Sequence, residues 1–396
     1  MVDINVDTQS FLVIVAVAAV SAAIAGVLPR KVALPVVVLE ILFGILIGPE
    51  VLDLAQPDEF TQFFSNLGLG MLFFFAGYEI EFNKIRGRPM ALAGMGWGMS
   101  LVLAYAIAAV IIINDTDHDG LIFLGAAMAT TAIGALIPIL KDAGEMRTRF
   151  GTLLLAAGAA GEFGPILMVT ELFSTKATLT SALILVAFVL LAIVASLVAV
   201  RSVGRTWNLI ERTLETSGQL AIRTTVVIIF ALVALATELG LDLLLGGFVA
   251  GVIVSLALRD REVEVLESKL NAVGYGFLIP FFFVFTGISF DIAAIFERWT
   301  LAVGVPLFAL CFLVIRGLPA LLLYSRELDL RNRVALGLFS ATELPLVVAI
   351  TTIAVERSEM SSGTAASLVG AAVLSTAVFP LLALRVRAGA TKTIVE

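Results

Sequence analysis

Four ionisable side chains lie deep inside long apolar runs of this chain: Glu40, Glu162, Arg316 and Glu343. An ionised carboxylate at such a depth is costly unless it pairs, faces water or takes up a proton, so each acid is read first as a transport-site group. Glu162 leads. It stands near the middle of the run 150–173, where Gly158, Gly161 and Gly164 leave little side chain around it and let another helix or a hydrated ion approach. Pro165 lacks an N–H and is expected to distort that helix. The plain alternative is a neutral glutamic acid hydrogen-bonded between helices. Arg316 stays protonated and must find an anion or water: it is expected to neutralise Glu162 or Glu343, the alternative being that it snorkels toward the cytoplasmic end of its helix. Glu40 is the exception: it lies in a run otherwise suited to packing or subunit contact and is read as a polar contact or lipid-side group, a transport acid being the alternative.

Two of the apolar runs carry their own interruption. One places Thr130, Thr131 and Gly134 midway with Pro138 beyond them; the other centres on Ser340, Thr342, Glu343 and Pro345. Helices broken at mid-depth expose carbonyl and N–H groups that must line protein or water, and such groups can coordinate an ion. Ordinary kinks from proline and small residues are the alternative.

The elements that must hold these groups follow from composition. The 396 residues are 60% hydrophobic and 14% charged, against soluble norms of roughly 45–50% and about 25%. With a mean hydropathy of +1.07, the chain reads as an all-α polytopic membrane protein. The net charge of -7 comes with no basic tract, so nucleic acid is not an expected partner. Cys311 is the single cysteine, which excludes a disulfide within the chain and a cysteine-based metal or redox centre. His118, the sole histidine, lies among loop acids without other strong ligands and is read as structural or silent. No cofactor is expected, nor enzymatic chemistry. The first run has acidic residues before it and another span directly after it, so it reads as a retained helix and not a cleaved signal.

Thirteen candidate spans emerge: 11–28, 33–48, 61–79, 90–113, 120–140, 150–173, 178–200, 219–238, 243–258, 270–290, 300–324, 334–355 and 363–384. Nearly all lysines and arginines then fall on one side; only Lys176, Arg298 and Arg357 fall on the other. The positive-inside rule places the amino terminus outside and the carboxyl terminus in the cytoplasm of a cell-membrane protein. Spans one to six and eight to thirteen make two six-span halves joined by the seventh, which inverts one half relative to the other. The interruptions occupy the fifth member of each half.

Together these stretches resemble the monovalent cation:proton antiporter superfamily, especially the branch of bacterial Na⁺/H⁺ and K⁺/H⁺ antiporters of the Nap and Kef kinds. The resemblance runs in order through LPVVVLEILFGILIGP, LGLGMLFFFAGYEIEF, ATTAIGALIPILKDAG, GGFVAGVIVS, IPFFFVFTGISFD and FSATELPLVV. It implies two interrupted helices crossing in a core domain made by 90–173 and 300–384. It also implies a dimerisation scaffold made by 11–79 and 219–290, a linker helix at 178–200, and a homodimer. Glu162 resembles the essential acid of the sixth helix, with Gly161 where the family carries Asn or Asp. Arg316 resembles the basic residue of the eleventh helix, and Thr131 the polar group at the first break. Glu343 resembles the Glu of a Gly-Glu-Phe pattern whose neighbours are here Thr342 and Leu344. Because the chain ends shortly after the thirteenth span, no attached nucleotide-binding regulatory domain is expected.

The implied activity is exchange of Na⁺, K⁺ or Li⁺ for protons by competition at Glu162, with Thr130 and Thr131 as further cation ligands. One acid beside Gly161 and a permanent charge at Arg316 imply electroneutral exchange. Two other readings remain: a cation channel or uniporter lined by Glu162 and Glu343, and an organic-anion transporter that uses Arg316 to attract substrate.

Overall fold

The computed structural model describes residues 7–27, 35–79, 85–112, 120–146, 148–173, 218–239, 243–258, 264–297 and 299–387, with isolated residues between 186 and 216. The helices are α1 (Thr8–Val27), α2 (Val36–Ile47), α3 (Glu59–Tyr78), α4 (Arg88–Ile112), α5 (Leu121–Ala127), α6 (Ile133–Asp142), α7 (Arg149–Phe173) and α8 (Leu220–Glu238). They continue with α9 (Leu243–Leu258), α10 (Glu264–Val273), a π-helical turn (Gly274–Leu278), α11 (Ile279–Ile288), α12 (Ile292–Glu297), α13 (Trp299–Leu323), α14 (Leu330–Ser340), α15 (Pro345–Glu356) and α16 (Ser362–Arg387).

Among the described residues, eight helical stretches are long and apolar enough to cross a bilayer. The other expected spans correspond to the shorter α2 and α9, to the pair α5 and α6, and to α7. About half of the expected linker at 178–200 falls outside the described residues, as does His118. Two features differ from the sequence expectation: the tenth span begins earlier, at Glu264, and passes through the π-helical turn, and the short α12 lies outside the expected spans. The expected run through Pro165 to Phe173 is helical throughout. A proline removes one N–H and crowds one carbonyl, and α7 accommodates that without ending.

The helices are apolar on nearly every face, as helices with lipid on one side must be. In α13, Phe308, Phe312, Ile315 and Arg316 turn inward while Leu307, Leu310 and Val314 remain exposed. Hydrophobicity therefore does not say which face packs. Where helices meet closely, small residues decide the approach.

The chain divides into two compact units. In the first, Glu59–Glu81 with Ile166–Phe282, α3 lies against α9 through glycine contacts. A Cβ on Gly77 would strike the backbone of Phe248, and one on Gly251 would strike that of Phe74. The π-helical turn packs Tyr275 on Phe75 with ring centroids 4.9 Å apart, and Tyr78 donates to Glu267 Oε1 at 3.0 Å.

The second unit, Val6–Asp58 with Phe82–Pro165 and Phe283–Glu396, holds α13 between α4 and α16, with α14 against both α13 and α16. A buried ion pair closes one end of it. Arg387, in the last turn of α16, places Nη2 2.6 Å from Glu145 Oε2 and donates from Nη1 to Asn332 Oδ1 at 2.5 Å. The guanidinium also lies 3.7 Å from the centre of the Phe150 ring.

Candidate functional site

Both expected interruptions are present in the second unit. Between α5 and α6 the chain leaves the helix at Met128–Ala132, and between α14 and α15 at Ala341–Leu344. Pro345 opens α15, so the second break ends where a residue without an N–H costs nothing; Leu344 before it is non-helical at φ −159°, ψ −68°. The first break is held by hydroxyls. Thr130 donates to the carbonyl of Ala127, the last residue of α5, at 3.2 Å. Gly134 and Pro138, expected to lie at this break, fall instead inside α6, because the Thr130–Thr131 pair ends the preceding helix ahead of them. Thr130, Thr131, Ser340, Thr342 and Pro345 lie at the breaks or their edges.

The two breaks are tied to one another. The Ala132 amide donates to the Thr342 carbonyl at 2.8 Å, and the Thr131 hydroxyl to the Ser340 carbonyl at 2.6 Å. The Thr131 amide in turn donates to the Gly161 carbonyl at 3.0 Å, which joins α7 to the crossing. Groups orphaned by ending a helix thus find partners on a neighbouring chain segment, as dry surroundings require.

Glu162 follows Gly161 and is 1% exposed. The first amide of α6, on Ile133, faces its carboxyl group, while Oε2 has no hydrogen-bond partner. Glu343 is fully buried. Its Oε2 lies 3.2 Å from the Thr130 hydroxyl, whose one hydrogen is shared with the Ala127 carbonyl, and Oε1 has no partner. Two hydroxyls of α16 hold its backbone: the Glu343 amide donates to Ser375 Oγ at 3.1 Å, and Thr376 Oγ1 donates to the Glu343 carbonyl at 3.2 Å.

The partner expected for Arg316 is not the one it has. Its guanidinium donates from Nε to Thr131 Oγ1 at 3.0 Å, from Nη1 to Ser100 Oγ at 3.1 Å and from Nη2 to the Ala157 carbonyl at 3.2 Å. Among the described residues it makes no ion pair; Glu343 acts on it only through its field. The physical reason is supply: the breaks, Ser100 and the glycine-rich stretch of α7 present neutral oxygens in reach of the fork, one to each of its three nitrogens. A small pocket of about 10 Å³, room for no more than a water, lies beside the guanidinium, with Trp97, Ala157, Tyr324 and Ser340 in its lining.

Gly161 explains how Arg316 comes so near. A Cβ at this position would collide with Arg316 Nη2 and lie 2.7 Å from Thr131 Oγ1. Gly161→Ala is therefore expected to displace the guanidinium and destabilise the protein by about 1–3 kcal/mol through overpacking. Thermal unfolding and cation flux in vesicles check this, and an unchanged pair of values counts against the packing argument.

Ser100, Ser375 and Thr376 were not singled out from the sequence. Their only signal was polarity inside apolar spans, which many serines and threonines share. Glu40 is buried at 3% in α2, but no hydrogen bond links it to the groups above. Cys311 is a free thiol, partly buried in α13.

Interrupted helices tied together around two buried acids and a buried arginine are the architecture of a membrane transporter. The chain belongs to the family described as "Sodium/hydrogen exchanger, transmembrane", whose model matches residues 17–384. It is 29% identical to YjbQ of Bacillus subtilis over 89% of this chain and 59% of that one. It is 28% identical to the Na⁺/H⁺-K⁺ antiporter GerN of Bacillus cereus over 70% of this chain and 71% of that one. This chain thus spans little more than half the length of YjbQ. Its fold is similar to that of the sodium proton antiporter MjNhaP1 of Methanocaldococcus jannaschii, with TM-score 0.66 at 16% identity, covering 97% of this chain and 96% of that one. An all-α fold of inverted repeats accounts for the paired breaks.

Proposed function

We propose that this chain exchanges a monovalent cation, Na⁺ or alternatively K⁺ or Li⁺, for protons by alternating access, with Glu162 as the shared binding group. The observation that carries the reading is a fully buried Glu162 with one oxygen unpartnered, beside the crossing of two broken helices. The names of GerN and MjNhaP1 support it.

An ionised Glu162 attracts a cation, and a proton on the same carboxyl cancels that attraction and releases it. Thr130 and the carbonyls freed by the breaks supply neutral oxygen ligands of the kind a hard cation takes. The hydroxyl of Thr131 is engaged by Ser340 and Arg316, so its part is to hold Arg316 in place. Arg316 contributes a fixed positive charge that offsets one of the two carboxylates. A single negative charge then remains, which one cation or one proton cancels, and the neutral loaded forms cross the low-dielectric layer readily.

In this reading 90–173 and 300–384 carry the site past a scaffold made by 11–79 and 219–290, in a homodimer with the amino terminus outside and the carboxyl terminus in the cytoplasm. The skewed distribution of lysine and arginine supports that orientation. Paired proton and cation fluxes in sealed vesicles at clamped membrane potential test the proposal. One cation is expected to move per proton, with a balance point independent of voltage. A balance point that shifts with voltage overturns the one-for-one exchange, and current without proton counterflow favours a channel.

A further inference from the structure

Glu327, in the turn after α13, is shared by two arginines that each open a helix. Arg88 Nε, at the start of α4, lies 2.5 Å from Oε1, and Arg149 Nη2, at the start of α7, lies 2.6 Å from Oε2. One carboxylate between two guanidiniums leaves the trio with one positive charge in excess. The arginine side chains are 59% and 35% exposed, whereas that of Glu327 is 10% exposed. Among the described residues neither guanidinium has another acceptor, so each spends one nitrogen on Glu327 and keeps the rest of its fork free. The positive ends of the α4 and α7 dipoles add to the field.

The place of this cluster says what it faces. The apolar crossing stretch of α4 begins at Arg88, and that of α13 ends at Leu323, shortly before Glu327. The trio therefore lies at the edge of the hydrocarbon layer, at the depth of lipid phosphates. Guanidinium forks match phosphodiester oxygens in plane and spacing. We propose that Arg88, Glu327 and Arg149 form a headgroup site for an anionic phospholipid, with Glu327 holding the two guanidiniums side by side. A zwitterionic lipid brings its own cation and gains less from the excess charge. The inference rests on the chain crossing a membrane and is independent of ion exchange.

The test uses the purified full chain in mild detergent, titrated separately with phosphatidylglycerol, phosphatidylcholine and glycerol 3-phosphate. Retained lipid is read by native mass spectrometry, alongside the thermal midpoint. Phosphatidylglycerol is expected to bind in preference to phosphatidylcholine, and Arg88→Gln to weaken it about fivefold, the worth of one basic residue at a membrane surface. Glu327→Gln removes the only negative charge of the trio and is expected to tighten phosphatidylglycerol binding by a similar factor, while lowering the lipid-free midpoint. Equal retention of the two lipids overturns the site, as does Glu327→Gln binding phosphatidylglycerol more weakly than wild type. Displacement of the lipid by glycerol 3-phosphate overturns the lipid as occupant in favour of a free phosphate. If Glu327→Gln does not fold, the exposed Arg88 decides: unchanged binding in Arg88→Gln overturns the proposal.

Discussion

Glu162→Gln is expected to bring both proton and cation flux down to the level of protein-free vesicles while the thermal midpoint stays near that of wild type. The amide has nearly the shape of the acid, so the buried position it occupies remains filled. What it loses is chemical: an amide neither titrates near neutral pH nor supplies an anionic ligand. Glu162→Asp separates charge from reach. It keeps a carboxylate on an arm shorter by one methylene, and residual exchange with altered cation affinity is expected. The same vesicles hold a control in Glu40→Gln, because Glu40 makes no hydrogen bond to the crossing and its loss is expected to leave exchange running. Wild-type exchange in Glu162→Gln would remove Glu162 from the centre of the mechanism.

The largest effect on stability is expected from the buried pair Arg387–Glu145. Both side chains are 4% exposed and meet at 2.6 Å, and Thr148 Oγ1 also donates to Glu145 Oε2 at 2.9 Å. Removing one member strands the other charge away from water, which costs about 3–5 kcal/mol. Arg387→Ala also loses the contact with the Phe150 ring and the hydrogen bond to Asn332, so it belongs at the upper end of that range. Replacing both partners, Arg387→Met with Glu145→Leu, leaves no stranded charge and is expected to recover most of the loss. Thermal unfolding of the three proteins in one detergent gives the comparison. A double variant as unstable as the single one would show that packing around the pair, and not charge, sets the cost. The pair joins the turn between α6 and α7 to the start of α14 and the end of α16, so its loss loosens the far ends of elements that form the crossing.

Much of the architecture was legible in the chain itself. Apolar runs long enough to cross a bilayer located the described spans within a few residues, the tenth apart. The cause is elementary: a chain in hydrocarbon must satisfy its backbone internally, so composition alone marks helices. The two breaks were legible for the same kind of reason, since Pro345 withholds an N–H and Thr130–Thr131 offers hydroxyls that compete for carbonyls. The exact place of the first break was less so, because Pro138 suggested a later one, and proline is tolerated inside α6. Neither α12 nor the π-helical turn had a periodicity that distinguished it from its surroundings.

The partners of the buried charges were decided by tertiary structure. From the sequence, a buried arginine among buried acids invites an ion pair. Yet a guanidinium is equally satisfied by well-placed neutral oxygens, and folding brought Thr131, Ser100 and the Ala157 carbonyl around Arg316. Ser375 and Thr376, distant in the chain from the first break, hold Glu343 at the second for a similar reason: helix ends need partners, and only packing determines which hydroxyl is near. The sequence by itself determined that the chain spans a membrane, that two of its helices carry breaking residues at mid-depth, and that acids lie in the apolar runs, because solvation cost and backbone chemistry act locally. Which oxygen meets which charge was left to the tertiary structure, because hydrogen bonds across helices depend on distances and angles that no spacing along the chain encodes.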